Sequence, residues 1–261
     1  MSYVLSIINQ KGGVGKTTTA VNLSACLADL GYKTLLVDAD PQGNASLSLG
    51  YKTTEREKSL SELILSDPKT IDYSRYIIPT NFPNFDLIIS CQDLYTLDIF
   101  CSNIEKREFL IKNRIENLKN IYDFIIFDAP PNLGTLTVNL MTASQTMIVP
   151  LKADYLSLQG LAILLGAYKS MRAFLNPKLT ICGILLTMYS NTANISKEVV
   201  ENLKNYIGDI VFNTYIPQNV KLAECPSHQL PIIKYDPKCV GSIKYKEFTE
   251  EFLAKLKAKK K

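Results

Sequence analysis

Gln10-Lys11-Gly12-Gly13-Val14-Gly15-Lys16-Thr17-Thr18 follows a short apolar run, Tyr3-Val4-Leu5-Ser6-Ile7-Ile8. The run is rich in β-branched residues and reads as a strand. After the loop, Ala20, Leu23, Leu27 and Leu30 share one side of a helix over 16–30, and Gly31 is placed to end it. The glycines let the backbone turn tightly and aim its N–H groups inward. Strand, glycine turn and helix N-terminus together make an anion site. Gly15-Lys16-Thr17 matches the end of the phosphate-binding pattern G-x-x-x-x-G-K-[ST]. Gln10, however, stands where its first glycine belongs, and Lys11 adds a second lysine to the loop. In such a loop Lys16 holds the β- and γ-phosphates and the Thr17 hydroxyl ligates Mg²⁺.

Outward from the loop, apolar runs recur at 33–38, 85–89, 123–128, 146–150, 181–186 and 210–212. Most are continuous rather than alternating, as expected for strands buried on both faces of a parallel sheet. Helices are expected at 104–119, 157–174, 195–206 and 242–258, with a shorter one near Leu60–Leu65 in the otherwise unassigned stretch 51–84. Strand and helix alternate, so the expected fold is α/β: a doubly wound, mostly parallel sheet flanked by helices, of the P-loop NTPase type.

An open sheet of this kind places its chemistry at the carboxyl ends of its strands. Asp38 and Asp40 follow the second strand in Val37-Asp38-Ala39-Asp40-Pro41-Gln42-Gly43-Asn44. Asp128 ends another in Ile126-Phe127-Asp128-Ala129-Pro130-Pro131. A strand-end carboxylate near a phosphate loop orders Mg²⁺ or its waters. One such Asp-Pro turn alone would be only a loop start; two of them together with the loop point to the same chemistry.

These stretches, with Ile216-Pro217-Gln218-Asn219-Val220-Lys221-Leu222-Ala223-Glu224, resemble the deviant Walker A ATPases of the ParA type, in particular their Soj-like chromosomal branch. The resemblance covers nearly the whole chain. It implies binding of ATP and ADP by Lys16 and the amides of Gly12, Gly13, Val14, Gly15, Thr17 and Thr18. It implies Mg²⁺ held by Thr17 with support from Asp128, a water oriented by Asp40, and an adenine bordered by Pro217 and Asn219. Lys11 would reach the nucleotide of a facing subunit, so that ATP closes a homodimer. Such a dimer binds DNA without sequence preference, and a ParB-like centromere-binding partner stimulates hydrolysis. No N-terminal helix-turn-helix domain is expected. The chain departs from its relatives at Gln218, where many carry Arg, and at Gln229-Leu230, where Gly-Lys is common. Both changes remove positive charge that would neutralise DNA phosphates. DNA affinity is therefore expected to be weaker, or shifted to Lys221, Lys234, Lys244 and Lys246.

Composition sets the remaining bounds. The 261 residues are 46% hydrophobic, enough for a sizeable core. No linker, repeat or low-complexity run divides them, so one ATPase domain is expected over 1–261. Seven lysines against three glutamates from Gly241 onward account for the net charge of +4. Cys26, Cys91, Cys101, Cys182, Cys225 and Cys239 are scattered, without a C-x-x-C pair, which fits a reduced cytoplasm and gives no support to a zinc or iron–sulfur site. The one histidine, His228, reads as a surface or packing residue. No signal peptide is expected, and the most apolar helical stretch, 156–168, is too short to span a membrane. Two other functions share the loop. A MinD-like membrane-cycling regulator of division needs a lipid-binding C-terminal helix, for which Phe248, Phe252, Leu253 and Leu256 among lysines are candidates, although such spacing more often marks a face docked on the core. A reductase resembling the nitrogenase iron protein needs cluster-holding cysteines that this pattern lacks.

Overall fold

The computed structural model describes residues 2–190 and 194–258. In chain order its elements are β1 (Tyr3–Ile7), α1 (Lys16–Asp29), β2 (Thr34–Asp38), α2 (Asn44–Ser48), α3 (Leu60–Leu65), β3 (Ile78–Pro79), β4 (Phe85–Ile88), α4 (Leu97–Phe100), α5 (Leu110–Arg114), β5 (Phe124–Asp128), α6 (Thr135–Ala143), β6 (Thr146–Lys152), α7 (Tyr155–Phe174), β7 (Thr180–Thr187), α8 (Asn194–Ile207), α9 (Val220–Glu224), α10 (Ile232–Tyr235) and α11 (Val240–Ala258).

The strands form one sheet in the order β3-β4-β2-β5-β1-β6-β7. All pairings are parallel except that of β3 with β4. β3 is a two-residue edge whose Pro79 sits where a missing N–H is tolerated. Every residue of β2 and β5 is buried, which explains their continuous apolar sequence. Within each strand, neighbours alternate between two cores. Val4, Leu35 and Ile125 enter one with Leu140 of α6 and Leu164 of α7. Leu5, Leu36 and Ile126 enter the other with Leu23 and Leu27 of α1 and Phe248 and Phe252 of α11. Fully burying an aromatic such as Phe252 contributes roughly 1.5–3 kcal/mol.

The sheet order positions the site. From β1 the chain crosses by α1 to β2, two places away, and later fills the gap with β5. β6 and β7 then extend the sheet on the other side of β1. The winding therefore reverses at β1, and the crevice beyond its carboxyl end is where such sheets bind ligands. Ile7 and Asp38 both lie opposite Asp128 in the ladders, so three strand ends stop at one level.

Two expected elements differ. The helix expected over 104–119 is broken: Lys106 is left-handed at φ 57°, 3₁₀ turns occupy 107–109 and 117–120, and only α5 is α-helical. The strand expected over 210–212 reduces to a single bridge between Val211 and Ile184. The sequence reading also gave no sign of α6.

Candidate functional site

The loop between β1 and α1 is tied to distant parts of the chain. Asn9 Nδ2 donates to Pro150 O at 2.7 Å, and its Oδ1 accepts from the Lys11 N–H at 3.0 Å. Gln10 Nε2 donates to Gly160 O in α7 at 3.1 Å. The residue that replaces the pattern's first glycine thus anchors the loop to a neighbouring helix. Thr187 Oγ1, at the end of β7, donates to Val14 O at 2.8 Å. Gly13 and Gly15 are left-handed, at φ 70° and 83°, which is the conformational reason for glycine at both. Gly15 caps α1, so the first N–H groups of that helix open toward the site.

Lys16 is 7% exposed and donates to Lys11 O at 3.2 Å. Burial pushes its ammonium below the ordinary lysine range, while Asp128 and Asp40 oppose the shift. Lys11 points elsewhere. Its Nζ sits 3.1 Å from Asp154 Oδ1 and 3.2 Å from Ser157 Oγ, at the start of α7. Asp154 caps that helix by accepting from the Ser157 N–H at 2.9 Å. Burial would raise the Asp154 carboxyl, but the bonds from Ser157 and Lys11 outweigh it and hold the group at about 2. The D-x-x-S pattern from Asp154 to Ser157 is a helix-start signal that sequence could have offered. Its pairing with Lys11 is not.

The carboxylates fall into three environments. Asp38 is fully buried and accepts at one oxygen from both the N–H (2.7 Å) and the hydroxyl (2.6 Å) of Ser46. Burial nevertheless pushes it up to about 7, opposed by those bonds and reinforced by the Asp40 charge. Asp128 is also fully buried, and among the described residues neither of its oxygens has a hydrogen-bond partner. Burial, then Asp38 beside it, pushes its carboxyl well above the usual range; Thr17 and Lys16 act the other way without closing a hydrogen bond. Asp40 is 6% exposed and lines the cleft, with one oxygen accepting from the Gln42 N–H at 3.0 Å.

Two cavities meet at Gly15, Thr18 and Met188. One, of about 440 Å³, is the more polar and includes Gly12, Gly13, Lys16, Thr17 and Asp40. The other, of about 360 Å³, is mainly apolar and includes Ile216, Pro217, Asn219 and Tyr245. Phosphates suit the first and an aromatic base the second. Asp128 lies beneath this surface and lines neither cavity. An orphaned, buried carboxylate beside Thr17 fits a cation better than it fits a packed core. Met188, absent from the sequence candidates, stands at the junction with a left-handed φ of 51°. Asn219 caps α9 through its Oδ1, which accepts from the Leu222 N–H at 3.3 Å.

Three of the four lysines considered for DNA carry a carboxylate partner: Lys221 with Glu224 at 2.9 Å, Lys234 with Asp29 at 3.0 Å and Lys244 with Glu247 at 2.6 Å. Lys246 is exposed on α11. Gln218 lines the apolar cavity. Gln229 is left-handed at φ 59°, a conformation that glycine adopts most readily. His228 is exposed and stacks on Tyr235 with ring centroids 4.7 Å apart.

Residues 2–181 match a family model described as an AAA domain. The chain is 42% identical over 254 residues to the sporulation initiation inhibitor protein Soj of Bacillus subtilis, with 97% of this chain and 99% of that protein covered. It is 38% identical over 254 residues to the chromosome partitioning protein ParA of Caulobacter vibrioides, covering 97% and 94%. Among solved structures, a cobyrinic acid a,c-diamide synthase from Mycobacterium smegmatis with bound ADP and magnesium is similar at TM-score 0.85 and 30% identity, covering 98% and 96%. With these identities over nearly its full length, and with the phosphate loop and strand-end aspartates in their places, the chain belongs to the Soj/ParA family of chromosome-partitioning ATPases.

Proposed function

We propose that this chain, as one ATPase domain over 1–261, is a nucleotide-driven DNA-partition switch of the cytoplasm, associated with the nucleoid when ATP is bound. ATP closes a homodimer that holds DNA without sequence preference, and a ParB-like centromere-binding partner stimulates the hydrolysis that releases it. The observation that carries the reading is the pair of joined cavities. The polar one supplies Lys16, Thr17 and Asp40 to a phosphate chain, and the apolar one supplies Pro217 and Asn219 to a base. Lys16 and the amides of residues 12–18 bind the phosphates. Thr17 and Asp128 are the residues that would hold magnesium, which when bound neutralises phosphate charge. Asp40 orients the attacking water. Lys11 leaves Asp154 to reach the nucleotide of the second subunit.

The membrane-cycling alternative needs the apolar face of α11. Phe248 and Phe252 on that face are fully buried in the core, and Leu256 nearly so. Among the described residues no helix is long and apolar enough to cross a membrane. Co-sedimentation with plasmid DNA and with anionic liposomes, each with ADP and with ATP, separates the two. ATP-dependent pelleting with DNA alone is expected; pelleting with liposomes alone would replace the partition reading. Lys16→Ala is expected to abolish ATP binding in calorimetry, and unchanged affinity would remove the phosphate role of the loop.

A further inference from the structure

We propose that Ser90 is a positioning residue for Asp40, holding the loop after β2 in the geometry that turnover requires. The proposal rests on the reading of Asp40 as the group that orients water. The β2–β4 ladder ends at Val37 and Ile88. Beyond it Ser90, two residues past the end of β4 and fully buried, reaches back to the loop. Its hydroxyl donates to the Asp40 carbonyl at 2.5 Å. Its N–H donates to Ser46 Oγ at 3.2 Å, and that hydroxyl donates in turn to Asp38. Asp38 also accepts from the Asp40 N–H at 3.3 Å. The peptide groups on both sides of the Asp40 Cα are therefore gripped: the N–H by Asp38 and the carbonyl by Ser90.

Simple satisfaction of buried groups does not account for this arrangement. The Asp40 carbonyl already accepts from the Gly43 N–H at 2.8 Å, inside its own turn. The Ser90 bond is a second one, from the segment that follows β4. A hydroxyl in a fully buried position costs free energy that an alanine would avoid. What the second bond adds is direction. The Gly43 bond moves with the turn, whereas the Ser90 bond ties the turn to the sheet. The side chain leaves the same Cα into the polar cavity, so fixing both flanking peptides fixes the line along which the carboxylate enters it. Small misplacements of such a group cost rate far more than affinity.

The test is a cycle of Ser90→Ala, Asp40→Ala and the double variant in the full-length protein, with ATP turnover at saturating nucleotide, ATP affinity by calorimetry and stability by urea unfolding. Ser90→Ala is expected to lower kcat by about tenfold while ATP affinity and the unfolding midpoint stay close to wild type. In the Asp40→Ala background it is expected to add no further loss, because the group it positions is gone. Wild-type turnover in Ser90→Ala, an equal loss in both backgrounds, or a loss that merely follows affinity or stability would overturn the proposal while leaving the reading of Asp40 intact. Wild-type turnover in Asp40→Ala would remove that reading and the proposal with it.

Discussion

Lys11 is already engaged before any second subunit arrives. Its pair with Asp154 is about one-third exposed on each side (33% and 27%). Pairs this wet are worth about 0.2–1 kcal/mol, less than a charge-assisted contact to phosphate at roughly 1.5–3 kcal/mol. The intramolecular partner therefore holds the side chain in order without trapping it. Lys11→Ala is expected to bind ATP as the wild type does but to weaken ATP-dependent dimerisation by about tenfold or more; calorimetry and light scattering measure the two. Undisturbed dimerisation would make Lys11 a loop residue only. Asp38 carries a different liability. Its folded value of about 7 lies above that of an unfolded aspartate, so between about pH 4 and 7 the folded chain keeps a proton that the unfolded chain has lost. Without nucleotide, stability is expected to fall as pH rises through that window, by on the order of a few kcal/mol. Asp38→Asn is expected to flatten the decline in part, since Asp128 shifts in the same direction. Urea unfolding at pH 5 and 7.5 decides, and parallel slopes would count against it. That Lys16, Thr17 and Asp40 would meet in one cleft was legible in the sequence because each belongs to a local motif with its own chemistry. Asp154 and Ser90 were not, because their partners lie 143 and 50 residues away and nothing local announces the contact.

Helix α6 shows what hides an element from a linear reading. Thr135, Thr137 and Val138 are β-branched and lower its local propensity. The helix is held instead by Leu136, Leu140 and Met141 in the core and by Asn139, which accepts from the Ile111 N–H and donates to Arg107 O. At 104–119 Leu110, Ile111, Ile115 and Leu118 are buried in the core, but left-handed Lys106 interrupts the continuous helix expected there. The C-terminal helix was legible, and its apolar stripe docks on the sheet. Phe248→Ala is expected to destabilise the fold by about 3–5 kcal/mol in chemical unfolding. It is not expected to change any residual association with anionic liposomes. Lost liposome binding with undiminished stability would reverse the assignment of that face.

The alternation of strand and helix made the doubly wound sheet legible, and the strand-end aspartates pointed to the end of it where the cleft opens. The position of β5 between β2 and β1, and the antiparallel β3, could not be read, since strand order is decided by packing among elements distant in sequence. The proposed DNA surface would likewise be a property of the assembled molecule. Lys221 and Lys244 each neutralise a glutamate one helical turn away, so ATP would pair two modest basic surfaces rather than two strong ones. Gln218→Arg is expected to raise DNA affinity and steepen its salt dependence, while Lys221→Glu with Lys244→Glu lowers affinity for all sequences alike by about tenfold or more, with ATP binding unchanged. Gel shifts across a salt series test both, and a sequence-selective loss would contradict a phosphate-only contact.

The ties that hold the phosphate loop also fix when the loop can work. Asn9, Gln10, Lys11 and Val14 are steadied by Pro150, Gly160, Asp154 and Thr187, between 141 and 173 residues further along the chain. A ribosome adding roughly 5–20 residues per second needs on the order of ten to thirty seconds to pass from the loop to its last support. For that interval the nascent chain carries the complete glycine-rich motif without the scaffold that shapes it. Ribosome-stalled chains ending near residue 145 are expected not to retain a fluorescent ATP analogue, and those extended past α11 are expected to retain it. The signature that announces this ATPase first in the sequence would be among the last parts of it to acquire its activity.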